Sequence, residues 1–284
     1  MSANLPERHL PGHIQAALNT ADSAGQPWEG RDLSGPGNPL HNFENDGGEA
    51  PTALIDALAR LTEGTGGEDG VIAALAHVRV FVPVLAITGD SAEEMGEHGD
   101  KHADMALVTI AAPDGRAALP IFSDVASLES WHPEARPVAV YAPRAALAAV
   151  QEKAQLLVLN PGSEYTFVVR RPAMWALAQQ REWKPSYDDP RIVDTVEKVT
   201  GGIKGIIAVV LHPGSGIGSR TAAGTLVAGG GVGPELRMAL TLDPDADPQA
   251  TVTALQEALR RDEAFATMVD SLEISVHPLE EQPR

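Results

Sequence analysis

The chain has 284 residues and a mass of 29.8 kDa, long enough to hide roughly 75% of its extended surface and to build two ordinary cores. Acids outnumber bases 39 to 21, so the net charge of −18 and the lack of any Lys/Arg cluster exclude the counterion-releasing surface that nucleic-acid binding needs. Cysteine is absent, which excludes disulfides, zinc–thiolate sites, iron–sulfur ligation and a cysteine nucleophile.

Residues 1–50 open without a basic start followed by an apolar run, so no secretory leader is read there and a cytoplasmic, membrane-free protein is expected. The segment is rich in Gly, Pro, Asn and Asp and is expected to be flexible, with Trp28 and Phe43 as its apolar anchors. Pro51 then opens a helix with Leu54, Leu58 and Leu61 at helical spacing, and a short helix over Asp69–Ala76 follows. Arg79–Thr88 reads as a strand apolar on both faces. Pro83 within it lacks a ladder donor, which predicts a bulge or an edge position.

Asp104–Ala112 and Arg116–Phe122 flank Pro113-Asp114-Gly115, a hairpin signal in which Pro presets φ and Gly supplies φ > 0. Ser123 is the expected cap of a helix running through Trp131. Pro137–Tyr141 is a strand, and Arg144–Lys153 a helix with Leu147 and Val150 facing inward. A second hairpin, Leu156–Leu159 with Tyr165–Val169, turns at Asn160-Pro161-Gly162, and Pro172 starts a helix ending near Trp183.

The proline-bracketed stretch Lys184–Pro190 is the expected domain boundary. Beyond it come a helix over Arg191–Thr200, strands Gly205–Leu211 and Pro234–Leu242, and a helix capped by Asp247 with Val252, Leu255 and Leu259 inward. Leu272–Val276 closes as a strand. The expected fold is therefore α+β. Residues 1–50 form a flexible segment, 51–183 a mixed-sheet domain with flanking helices, and 184–284 a smaller α+β domain.

FVPV, DMALVT, PDGR, ALPIF, LESW and RPVAVYA stand in this order between residues 51 and 183. In these motifs the chain resembles the N-terminal domain of the SseB-like family, known as enhanced serine sensitivity proteins. Residues 185–284 are similar to that family's C-terminal domain through their strand–strand–helix–strand order and ELRMALTLD. The resemblance implies a non-enzymatic module and supplies no catalytic residue.

The glycine-rich run His212–Gly233 is the feature closest to a ligand site. Glycines expose amides to phosphate, but no Gly-Lys-Ser/Thr occurs, and each G-x-G-x-x-G frame fails at its third glycine. A nucleophile elbow fails too, since neither Ser215 nor Ser219 has glycines two residues away on both sides. A flexible hairpin connection is the expectation, with anion binding by Ser215, Ser219 and Arg220 as the alternative. His98 and His102 have His-x-x-x-His spacing among acids, but Gly96 and Gly99 oppose a helix, so a solvated acidic loop is expected and no metal. Trp131, Tyr141, Trp175 and Trp183 read as core aromatics, and Arg170-Arg171 as solvated or capping residues.

Charge is uneven: residues 41–104 carry 13 acids and 3 bases, 105–184 carry 7 and 8, and 185–284 carry 15 and 8. The pattern predicts a basic partner for the acidic loop Asp90–Asp104 or for the C-terminal domain. The expectation is a non-catalytic interaction or regulatory module with a protein partner and no cofactor. The alternative is a small-ligand or anion-binding domain, or a weak enzyme, using loop 212–233.

Overall fold

The computed structural model describes Phe43 and residues 46–87 and 104–277. His98, His102, Trp28 and nearly all of the acidic loop lie outside them.

Two helices come first, α1 (Thr52–Thr62) and α2 (Glu68–Leu75), followed by β1 (Arg79–Ile87). β2 (Asp104–Leu107) and β3 (Ile110–Ala111) precede the Pro-Asp-Gly turn, and β4 (Ala117–Ile121) follows it. Gly115 takes φ +84° there, and its amide donates to Ala112 O at 2.8 Å. α3 (Val125–Trp131), β5 (Arg136–Tyr141) and α4 (Ala142–Gln151) lead to the hairpin of β6 (Leu156–Leu159) and β7 (Phe167–Val169), then α5 (Arg171–Ala178).

The strands form two layers of pairing, β2-β1-β5 and β3-β4-β6-β7. A double hydrogen bond between Phe81 and Phe122 (2.7 and 2.8 Å) joins them. Val80, Val82 and Val84 of β1 face one core with α1, α2, α4 and α5, while Phe81 faces a smaller cluster with Phe122, Leu128 and Ala135. Both faces of β1 are covered, which is why its sequence is apolar without alternation.

Pro83 is neither at an edge nor at a bulge. It lies in regular register opposite Pro137, with β1 central between β2 and β5. The two prolines face each other, so neither needs a donor toward the other. Along β1's second side the partner changes here from Phe122 to β2, and Val108 N donates to Pro83 O across the change. A missing N–H is tolerated at this gap.

Three further expectations are corrected. Asp124, not Ser123, caps α3, accepting from Ser127 N at 2.7 Å, while buried Ser123 donates its amide to Asn160 Oδ1. α4 turns Leu147 and Val150 to solvent and buries Ala142, Ala145, Ala146, Ala148 and Ala149, because small side chains let the helix approach α5 and the sheet closely. α5 ends at Ala178, five residues before Trp183, with Gln180 left-handed at φ 53°.

The remaining elements are α6 (Pro190–Thr200), β8 (Ile206–Pro213), the two-residue strands β9 (Ser219–Arg220) and β10 (Leu226–Val227), β11 (Leu236–Leu242), α7 (Pro248–Arg261), α8 (Glu263–Met268) and β12 (Leu272–His277). Their sheet has the order β12-β11-β8, with β12 parallel and β8 antiparallel to β11. Leu236, Met238, Leu240 and Leu242 of β11 pack on Ile192, Val196, Leu255, Leu259 and Phe265 of the helices, making a separate core.

Candidate functional site

The glycine run folds as β9 and β10 with their flanking passes, and it is packed rather than flexible. Val227 is buried in the main core of the first half of the chain, against α1. Val168 N donates to Gly230 O at 3.0 Å, so the run also lines the outer edge of β7. Its two passes, 214–218 and 229–233, lie closer than any Cβ allows: one added to Gly216 would sit 2.2 Å from Gly233 backbone atoms. The glycines are needed for backbone-to-backbone approach, which is the physical reason the expectation of a flexible connection fails.

Arg170 holds these passes together. It precedes α5, is only 2% exposed, and donates to Gly233 O (2.6 Å), Gly231 O (2.7 Å) and Gly216 O (3.3 Å). A planar fork suits three converging carbonyls, and Asp270 lies 3.9 Å away as the counter-charge. Arg170 is therefore not solvated, and although it holds the N-cap position of α5 its side chain makes no capping bond. The available signal was a cation directly after the fully buried run Phe167–Val169.

Two buried carboxylates flank it. Glu68, at the start of α2, accepts from Gly230 N at 2.8 Å and from Tyr187 OH at 3.4 Å. Glu235 accepts from Ser186 N (3.2 Å) and Asp270 N (2.9 Å). Burial raises the carboxyl pKa of both above the ordinary range, against the opposing pull of these hydrogen bonds and of Arg170. Burial likewise raises the phenols of Tyr165 and Tyr187.

Arg116 pairs with Asp270 (2.8 Å) and Asp114 (2.6 Å), and Arg171 donates to Ala266 O at 3.0 Å. Arg116, Arg171, Asp114 and Asp270, with Gln155 and Ser271, line an open cleft of about 540 Å³ between the two halves. Each arginine there already has a partner.

The anion-site candidates each have a different partner. Ser215 donates from its amide and hydroxyl to Glu273 (2.8 and 2.6 Å), Ser219 Oγ donates to Gly229 O (2.6 Å), and Arg220 to Gly224 O (3.2 Å). Among the described residues no group of three or more His, Asp or Glu is placed to hold a metal ion, and no helix is long and apolar enough to cross a membrane.

The aromatics divide. Trp131 packs against Phe122 with the rings tilted by 44° and their centroids 5.3 Å apart, and Trp183 packs on the main core. Tyr141 and Trp175 are exposed, contrary to a core role, and Tyr141 is met by Phe43 at 5.1 Å. Phe43 and the Arg79–Asp46 pair (2.6 Å) thus fix the chain's approach to α1.

The architecture defines an α+β protein in which a helix-flanked mixed sheet is tied by a glycine run to a second, smaller sheet with its own helices. Residues 54–176 match the family model described as SseB protein N-terminal domain. No curated protein and no solved structure matches the chain.

Proposed function

We propose that this protein is a non-catalytic interaction or regulatory module of the SseB-like type, working in the cytoplasm by presenting a fixed surface to a protein partner. We extend the family reading to residues 185–284 on their strand–strand–helix–strand order and ELRMALTLD.

One observation carries the reading. The polar groups most suited to a ligand, those of the glycine run and Arg170, bond to each other and to the two cores. What such an arrangement supplies is a constant orientation of the two halves. The uncompensated charge is left on the outside, where Asp243, Asp245 and Asp247 of the C-terminal half are exposed. A rigid acidic surface suits a basic protein partner.

The test is a pull-down from native lysate with the full chain, run beside native mass spectrometry of the purified protein. A discrete protein partner, released as salt rises, is the expected result. A small ligand carried in stoichiometric amount, with no protein retained, would replace this reading with the ligand-binding one.

A further inference from the structure

The edge of the C-terminal sheet offers a surface that the interaction reading leaves unassigned. Among the described residues β8 is paired on one side only, with β11. Its sequence, IIAVVLHP, holds no lysine or arginine and no proline before its last residue. Such a strand leaves a row of N–H and C=O groups open, and natural edges are ordinarily blunted by charge, proline or a bulge. The register slips opposite Thr241/Leu242, which blunts the first turn of the strand around Ile207, and Ala208–Pro213 continue in regular pairing. Ile207 and Val210 are 51% and 50% exposed, and Val193 on the facing helix is 40% exposed.

Beside this edge lies a groove of about 530 Å³ between β8 and α6. Its helix wall includes Val193, Val196 and Thr200 of α6, Tyr187 joins them from the turn before the helix, and its floor is Ile206–Leu211. Among the described residues Glu197 is its one carboxylate, and no lysine or arginine lines it.

Resting on the interaction reading above, we propose that this groove takes an extended segment of a different protein, which adds to β8 as a fourth strand. An open strand edge is matched only by another extended backbone, spaced about 4.8 Å away. Alternate side chains of that strand enter the groove, so the segment carries apolar, β-branched residues at every second position. Glu197 calls for a lysine or arginine on it, in keeping with the acidic C-terminal half. A second copy of this chain fits less well: each carries −18, and Ile206–Pro213 has no cation to answer Glu197.

The test uses three fluorescein-labelled peptides, KVTVTVTVK, EVTVTVTVE and KVTPTPTVK, with the full-length protein. Anisotropy gives affinity, and amide hydrogen exchange locates binding. The first peptide should bind about tenfold or more tighter than the other two and should protect Ile206–Leu211 from exchange. Glu197→Lys, at an exposed helical position, should invert the preference between the Lys and Glu peptides. A smaller preference, protection elsewhere than β8, or no inversion overturns the proposal. So does a free protein that sediments as a dimer with β8 already protected. If Val210→Lys and Glu197→Lys proteins retain every partner captured by the parent, the interaction reading stands and the groove is refuted. If the parent captures no protein at all while the peptides behave as described, the groove stands and the wider reading falls.

Discussion

Arg170→Met removes the guanidinium on which the two passes of the glycine run converge, while keeping an unbranched side chain of similar reach. Three carbonyl oxygens lose a charged donor in a place that solvent does not enter. A hydrogen bond to a charged group contributes about 1.5–3 kcal/mol, and such contributions do not simply add when the acceptors share one donor. Removing one member of a buried charged cluster costs about 3–5 kcal/mol, because Asp270, Glu68 and Glu235 remain buried with less compensation. For a chain of this size that corresponds to a fall in Tm of roughly 6–20 °C. Arg170→Lys should be intermediate, since an ammonium is a point charge that does not span three carbonyls. Urea titration followed by far-UV circular dichroism gives the free energy, and limited proteolysis gives the location. The parent should resist cleavage within 214–233, and Arg170→Met should be cut there first. A loss under about 1 kcal/mol with the run still resistant would refute the argument, leaving Val227 and the Glu68–Gly230 bond as what holds it.

Two other outcomes are expected. Glu68 has a folded-state pKa raised by burial, so its stabilising contribution is complete below the unfolded value, about 4.3, and is lost as pH rises through the folded one. Glu68→Gln keeps an acceptor for Gly230 N, so its stability relative to the parent should be greatest at about pH 8 and shrink toward about pH 4, which chemical denaturation across pH will measure. On α4, Ala145→Leu should destabilise by about 1–3 kcal/mol through overpacking, and Leu147→Ser should stay within about 0.5 kcal/mol; the reverse order would mean that the helix is rotated from the face described.

Local signals were legible because their causes are local. Pro113-Asp114-Gly115 and Asn160-Pro161-Gly162 turn where their φ preferences say they should, and Asp247 caps α7 through its own carboxylate. α8 was missed although Asp262 caps it in the same manner, accepting from Phe265 N; at six residues it has too little periodicity to stand out. The inward face of α4 was misread because leucine and valine dominate a hydrophobic pattern. Alanine decides the packing there by being small, and only the partner surface shows that. Pro83 was misread for a related reason. Whether a strand can spare a donor depends on which neighbour lies beside it, and β1 changes neighbours at that residue.

The glycine run and Arg170 lie further from what a sequence can show. Gly216 and Gly233 are 17 positions apart, and the carbonyls that Arg170 binds lie 46 to 63 positions beyond it. No window of sequence contains both sides of those contacts. The charge pattern, however, carried a trace of them. Residues 105–184 are nearly neutral inside an acidic protein, and Arg116, Arg170 and Arg171 from that stretch all reach into the C-terminal half. Part of the balance of charge is thus an internal matter, between the two halves. Because those arginines are occupied at the junction, they do not offset the acids that face solvent.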